Sequence, residues 1–456
     1  MNYRTETDLL GKKEISAVAY WGIHTQRALE NFTVKTGPVP SILIKSIVLV
    51  KKACCISNME LGYIDNIKGG AIVKACDEIL GGALHDQFPL DAMQGGAGTS
   101  TNMNVNEVIA NRSLELLGKN RGDYDAINPV EHVNMHQSTN DVYPTALKIA
   151  SIEGLRLLSS AIERLQLALQ NKEKQFADIV TIGRTELQDA VPITLGSQFA
   201  SFAEAFARDR WRTFKSEERL RMVNIGGTAV GTGMTAPRSY IFLVIEKLRQ
   251  LSGMGLSRAE NPMDQTSNAD VFVEVAGMLT AFAVNCIKVC NDLRLLHFSG
   301  EIILPPVQAG SSIMPGKINP VICEAGISAG IKIRSHTGIV AETASMGTLQ
   351  LCEFMPLLAS SLLDALSIST STALMLADHT ALITACPETC RKHSDAGVTQ
   401  ITAFLPLIGY EKAQALAQEF AKSKENNFRL FLEDKLGKNV VDQVLSPQNI
   451  MSLGYK

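Results

Sequence analysis

Between Leu155 and Phe176 the apolar residues Leu155, Leu158, Ile162, Leu165, Leu169 and Phe176 fall three, four or seven places apart, with Arg156, Glu163 and Lys172 between them. That period demands a helix of about six turns and a second apolar surface to cover its stripe. Phe199, Phe202 and Phe206 open another such run, which continues through Trp211 toward Arg221. Residues 268 to 297, with Val271-Phe272-Val273 and Val275-Ala276-Gly277-Met278-Leu279, are apolar nearly all round, so that helix has to be covered on several sides. Residues 320 to 346 and 355 to 384 supply two more long segments of Ala, Ile, Leu and Ser. Few stretches alternate as strands do. The pattern predicts an all-α chain with a long central helical bundle flanked by smaller N- and C-terminal domains. Too few other elements remain to cover such helices, so other copies of the chain are expected to complete the bundle.

The 456 residues suffice for two or three domains. Shorter elements and more Gly predict an N-terminal domain over 1–139, the bundle takes 140–389, and polar breaks such as Lys422-Ser423-Lys424-Glu425 mark a small helical domain over 390–456. Lys and Arg number 43 against 46 Asp and Glu, a net charge of −3 that offers no field for a nucleic-acid backbone or an anionic membrane. No uncharged apolar stretch reaches the roughly 18 residues of a membrane span, and the N-terminus lacks a signal-peptide core, so the expected compartment is the cytoplasm. The nine cysteines include no CxxC and lie mostly in apolar runs, as reduced, packed thiols do. Cys286 and Cys290, four apart, are read as core.

Three windows carry almost no charge: 92–106 (AMQGGAGTSTNMNVN), 222–239 (MVNIGGTAVGTGMTAPRS) and 302–316 (IILPPVQAGSSIMPG). Each is rich in Gly and in side chains that donate hydrogen bonds without a full charge, which suits a small anionic ligand as well as ordinary turns. Gln137-Ser138-Thr139-Asn140-Asp141 forms a fourth polar cluster. None has the glycine order of a nucleotide loop.

The run Gly310-Ser311-Ser312-Ile313-Met314-Pro315-Gly316-Lys317-Ile318-Asn319-Pro320 closely resembles the signature loop of the aspartase/fumarase superfamily. Gly96 to Glu107, Gln137 to Asp141 with His132 upstream, and Gly183-Arg184-Thr185-Glu186-Leu187-Gln188-Asp189-Ala190 resemble its other shared regions, in the same order. Asp8-Leu9-Leu10-Gly11, the GAGTS wording at Thr99 and the stretch from Gly118 to Pro129 are similar to the aspartate ammonia-lyases within it, whereas Thr25-Gln26-Arg27 and Val105 to Arg112 have a fumarase-like wording. The resemblance implies a homotetramer with each active site shared by three subunits, a small dicarboxylate substrate, and no metal or organic cofactor as the chemical agent.

It further implies removal of a proton next to a carboxylate, a doubly charged aci-carboxylate, and loss of an amine or hydroxyl to leave fumarate. Fixed donors around the carboxylate are worth most where that charge grows. By resemblance Thr99, Ser138, Thr139 and Asn140 supply them; the last three also suit a plain helix N-cap. Ser311 matches the family's base, on a Gly-flanked loop with Ser312. Lys317 and Asn319 match the partners of the other carboxylate. Thr185 completes the binding set, with Glu324 and His132 in support. His132 and His136, four apart, could share a helix face, but no third metal ligand is evident. His24 and Arg27 are candidates for a carboxylate contact, by resemblance alone.

Two departures stand out. Glu186 occupies a position where fumarases and some aspartases have His and other aspartases Gln; beside Glu324 it sets two carboxylates together, which need a shared proton or a cation such as a substrate ammonium. His297-Phe298-Ser299-Gly300-Glu301-Ile302 is about five residues shorter than the corresponding family segment. The expected activity is an ammonia-lyase converting L-aspartate reversibly to fumarate and ammonia. An N-substituted or modified aspartate, fumarate hydration, and a non-catalytic structural relative remain the alternatives.

Overall fold

The computed structural model describes residues 2–452 and 454. The chain is all-α, and the described strands form only two-stranded sheets. Five long helices span Thr139–Gln175, Leu195–Leu220, Asp270–Phe298, Val321–Ser345 and Met355–Ala381. The first begins well before the Leu155 seam. Residues 141–150 are buried on every face and so carry no stripe for periodicity to find. Pro144 lies inside this helix and has no N–H for the carbonyl of Asn140, and Asn224 Nδ2 donates to that carbonyl instead at 3.1 Å.

The chain divides into two compact units, each drawing segments from all five helices. The first comprises 1–158, 212–280 and 332–368. In it the Ser41–Glu60 helix packs against Asn66–Leu80 and Arg238–Ser252. Bundle helices meet there through Arg156, which forks onto Glu217 at 3.1 and 2.8 Å, and through the Thr280 and Thr337 hydroxyls, 2.8 Å apart. A hairpin of Tyr3–Asp8 and Gly11–Ser16 opens the chain. Its residues are mostly polar and half-exposed, leaving no apolar alternation to predict it.

The second unit comprises 159–211, 281–331 and 369–456. Phe206 and Phe282 meet edge to face, ring centres 6.0 Å apart, and Asn285 donates to Asp209 at 2.8 Å. A second hairpin pairs Val180–Thr185 with Gln188–Thr194. The C-terminal helices Tyr410–Lys422, Phe428–Leu436 and Lys438–Val444, with the 3-10 segment Val398–Phe404, include a core of Phe404, Leu416, Phe428, Leu432 and Val441, and Pro387–Ala396 precedes them.

Asp270–Phe298 and Met355–Ala381 are long and apolar enough, by length and composition, to cross a membrane. Lateral contacts such as Phe206–Phe282 mark the first as a bundle helix, and it carries Glu274 and Lys288 along its length. All nine cysteines are free thiols, and all but the half-buried Cys386 are buried.

Candidate active site

The loop that follows Leu304 closes on itself. The Gly310 N–H donates to the Lys317 carbonyl at 2.9 Å, and the Asn319 side-chain amide donates to the Gly310 carbonyl at 2.8 Å. A Cβ at Gly310 would stand 2.5 Å from the Lys317 oxygen, so only glycine fits. Inside this closure Ser311 Oγ accepts the N–H groups of Ile313 at 3.2 Å and Met314 at 2.9 Å. Two donors aimed at one hydroxyl oxygen favour its anion, the property a serine base needs. Ser312 and Lys317 are exposed, and neither side chain has a partner among the described residues. Asn319 spends its amide on the loop itself, a role the sequence did not foretell.

Thr185 pairs with Gln188, leaving Glu186 and Leu187 as a two-residue hairpin turn. Both have positive φ, +51° and +61°, a conformation such turns normally give to Asn-Gly. Strain of this kind accumulates at functional positions. Thr185 and Glu186 are exposed. Glu324 is exposed in the first turn of Val321–Ser345, and among the described residues no hydrogen bond or ion pair joins it to Glu186. These residues and the Ser311 loop belong to the second unit.

Thr99, His132 and Ser138 to Asn140 belong to the first. Ser138 and Asp141 cap the Thr139–Gln175 helix reciprocally: Ser138 Oγ accepts the Asn140 N–H at 3.2 Å, and Asp141 accepts the Ser138 N–H at 2.9 Å. Of Ser138, Thr139 and Asn140, Ser138 alone acts as a cap, and its hydroxyl hydrogen has no acceptor among the described residues. Asp141 is wholly buried and also accepts the N–H groups of Gly226 (3.1 Å) and Thr228 (2.9 Å). Part of the uncharged 222–239 window thus serves the chain's own carboxylate. Burial pushes Asp141 up to about 6, against those hydrogen bonds and the nearby Lys51 charge.

Thr139 Oγ1 accepts from Asn102 Nδ2 at 3.1 Å, and Asn102 reaches Asn134 Oδ1 at 3.2 Å. The same oxygen accepts from Lys51 Nζ at 2.7 Å, while Gln137 Oε1 takes a second Lys51 hydrogen at 2.8 Å. Burial lowers Lys51 to about 7. Lys51 and Asn134 lie outside every motif that the sequence displays. The one signal for Lys51 is its place between the apolar runs Ile47-Val48-Leu49-Val50 and Ala53-Cys54-Cys55, beside Lys52. Asn140 donates its amide to the Ala229 carbonyl at 2.8 Å. Thr99 begins the Thr99–Leu116 helix and is exposed.

His132 and His136 do not share a helical face. His132 sits in a single π-type turn, Pro129–Val133, accepting the Asn128 N–H at 2.9 Å with Lys68 Nζ 3.3 Å from its other nitrogen. His136 has φ +60° and contacts Asn58 Oδ1 at 2.8 Å. Arg27 forks onto Asp8 with two 2.7 Å bonds. No group of three or more His, Cys, Asp or Glu among the described residues is arranged to hold a metal.

A serine held by two backbone N–H groups, a cluster of hydroxyls and amides, and long packed helices are the features that meet in a lyase family. A family model described as lyase matches residues 11–335, and the chain belongs to that family, within the aspartase/fumarase superfamily. It is 41% identical to an aspartate ammonia-lyase of Helicobacter pylori over 98% of both chains, and 39% identical to that of Escherichia coli K12 over 100% of this chain and 97% of the other. A fumarate lyase:delta crystallin of Brucella melitensis, solved bound to cobalt, superposes with a TM-score of 0.95 at 40% identity over 99% and 100% of the chains. A class II fumarase of Schistosoma mansoni superposes at 0.93 with 29% identity over 98% of both. The enzyme is a carbon–nitrogen lyase.

Proposed function

We propose that the enzyme is an aspartate ammonia-lyase, interconverting L-aspartate with fumarate and ammonia. The carrying observation is the pair of backbone N–H groups on Ser311 Oγ. The Ser311 alkoxide takes a proton from C3, next to the β-carboxylate, and the electron pair moves into that carboxylate as an aci-carboxylate. Thr99, Ser138, Thr139 and Asn140 stabilise the second charge. The pair then returns to form the C2–C3 double bond as the C2–N bond breaks and ammonia leaves. Lys317 attracts the other carboxylate as a point charge, with Ser312, Asn319 and Thr185 beside it, and Glu186 meets the departing ammonium. Glu324 and His132 support the site. Each site draws its residues from three chains of a cytoplasmic homotetramer. Full-length identity near 40% to named aspartate ammonia-lyases supports this substrate.

The test is absorbance in the fumarate band with L-aspartate, L-malate and an N-substituted aspartate offered separately. Fumarate from L-aspartate alone is expected. Fumarate from L-malate alone makes the protein a hydratase, and fumarate only from the substituted compound moves the substrate to that class.

A further inference from the structure

The shortened segment ends the Asp270–Phe298 helix with a Schellman cap. Gly300, at φ +76°, sends its N–H to His297, and the Glu301 N–H reaches back to Leu296 at 3.0 Å. This turn drives Glu301 inward until its side chain is 0% exposed.

Three stretches of chain converge on that carboxylate. From the hairpin, Thr181 donates its hydroxyl to Oε1 and Arg184 donates to Oε2 at 2.7 Å. From the cap itself, Ser299 donates at 2.6 Å. From the C-terminal Pro387–Ala396 helix, His393 Nδ1 lies 3.6 Å from Oε1 and 3.2 Å from the Arg184 guanidinium. The backbone repeats the junction: the Glu301 carbonyl accepts the Cys386 N–H at 2.8 Å, and Ile302 and Ile303 pair with Ala385 and Thr384. Burial works to raise the Glu301 pKa, but the hydrogen bonds from Ser299, Thr181 and Arg184 outweigh it, and the group stays below the usual carboxylate range. Arg184 also lies 3.5 Å from Asp189 across the hairpin, straddling the strained Glu186-Leu187 turn.

We infer that Glu301 is a positioning residue: through Arg184 and Thr181 it fixes the Glu186 turn against the C-terminal segment, and so sets how the enzyme meets the amine of its substrate. The inference rests on the proposed aspartate chemistry for its kinetic half only. A left-handed turn of two non-glycine residues holds its shape when its surroundings over-determine it. A buried, ionised carboxylate held by a guanidinium N–H and two hydroxyls does so better than an apolar contact, because its partners cannot leave without stranding a charge. All of these residues lie in one compact unit.

The experiment is a double-mutant cycle of Glu301→Gln and Glu186→Gln in the full-length enzyme, with amide hydrogen exchange of residues 183–190 followed in parallel. Glu301→Gln is expected to speed exchange in that segment about tenfold, more than elsewhere in the chain, and to lower kcat/KM for L-aspartate about tenfold, chiefly through KM. In the Glu186→Gln background the same change should cost less than about twofold, because the turn then carries no carboxylate to misplace. Unchanged exchange at 183–190, or equal losses in both backgrounds, overturns the inference. Wild-type enzyme inert toward L-aspartate, with exchange still accelerated, refutes the substrate and leaves the positioning intact. If Glu301→Gln does not fold, Arg184→Lys, which keeps the charge and loses the planar guanidinium shared among Glu301, Asp189 and His393, carries the same cycle.

Discussion

Lys51 holds its ammonium 2.7 Å from Asn134 Oδ1, with its whole side chain out of solvent. Through Asn134 and Asn102 this one charge is tied to Thr139, the first residue of the helix that carries the Ser138–Asn140 cluster. Lys51→Met leaves Gln137 Oε1 without a donor, which costs about 1–3 kcal/mol where it is buried, whereas Asn134 Oδ1 keeps the Asn102 and Asn106 amides. The variant is expected to lose stability and turnover together. A pH signature separates this from a simple packing defect. Lys51 titrates near 7 folded against an ordinary 10.5. Between those values the unfolded chain binds more protons, so wild-type stability gains from this group as pH rises. Urea unfolding at pH 7 and 9 should show that gain in wild type and not in Lys51→Met; equal gains in both mean that Lys51 does not titrate in this window.

Glu107 produces a slope of opposite sign. It is wholly buried and accepts the N–H groups of Gly22 and His24 at 2.8 Å and the Thr25 hydroxyl at 2.6 Å. Burial nevertheless pushes it up to about 7 from 4.5. A raised carboxyl contributes stability below its unfolded pKa and loses it as pH rises through the folded value, a change of up to about 3 kcal/mol here. The advantage of wild type over Glu107→Gln, read from thermal unfolding, should therefore shrink between pH 4.5 and 7. An advantage that grows across that range contradicts the assignment.

The Glu186-Leu187 turn gives a stability test with a functional cost. Replacing the pair by Asn-Gly relieves two left-handed side chains, each worth about 1–2 kcal/mol. The double variant is expected to melt higher and to turn over more slowly. Faster or unaltered turnover indicates that this turn holds nothing the reaction needs.

Glu186→Gln alone isolates the charge. The KM for L-aspartate should rise several-fold while inhibition by fumarate, which has no ammonium, is unaltered. An unchanged KM removes Glu186 from the amine's surroundings.

The bundle was legible because burying one face of a long helix leaves a period of 3.6 in the sequence, as from Leu155 to Phe176. Where burial is complete, as over 141–150, the period vanishes, and the helix start is legible only from the polar Ser138-Thr139-Asn140 cap. The opening hairpin left no trace, since Glu6 and Ile15 are its only buried residues. In the candidate site, Ser311, Thr99 and Asp141 stand in motif wording. Lys51 does not, because its partner Asn134 lies 83 residues away along the chain, and no local pattern encodes a hydrogen bond of that separation. The segment 297–302 was noticed for its length alone; what its length achieves, the inward turn of Glu301, depends on a cap and three distant stretches of chain.

The most direct measurement compares wild type with Ser311→Ala for fumarate release from L-aspartate, with circular dichroism to verify that both are folded. The alanine keeps the loop's Gly310–Lys317 closure and removes only the oxygen on which the Ile313 and Met314 N–H groups converge. The expected result is fumarate from wild type and a fall of about a thousandfold or more in the folded variant, the scale of losing an activated base. Comparable fumarate release from both would contradict the assignment of Ser311 as the base.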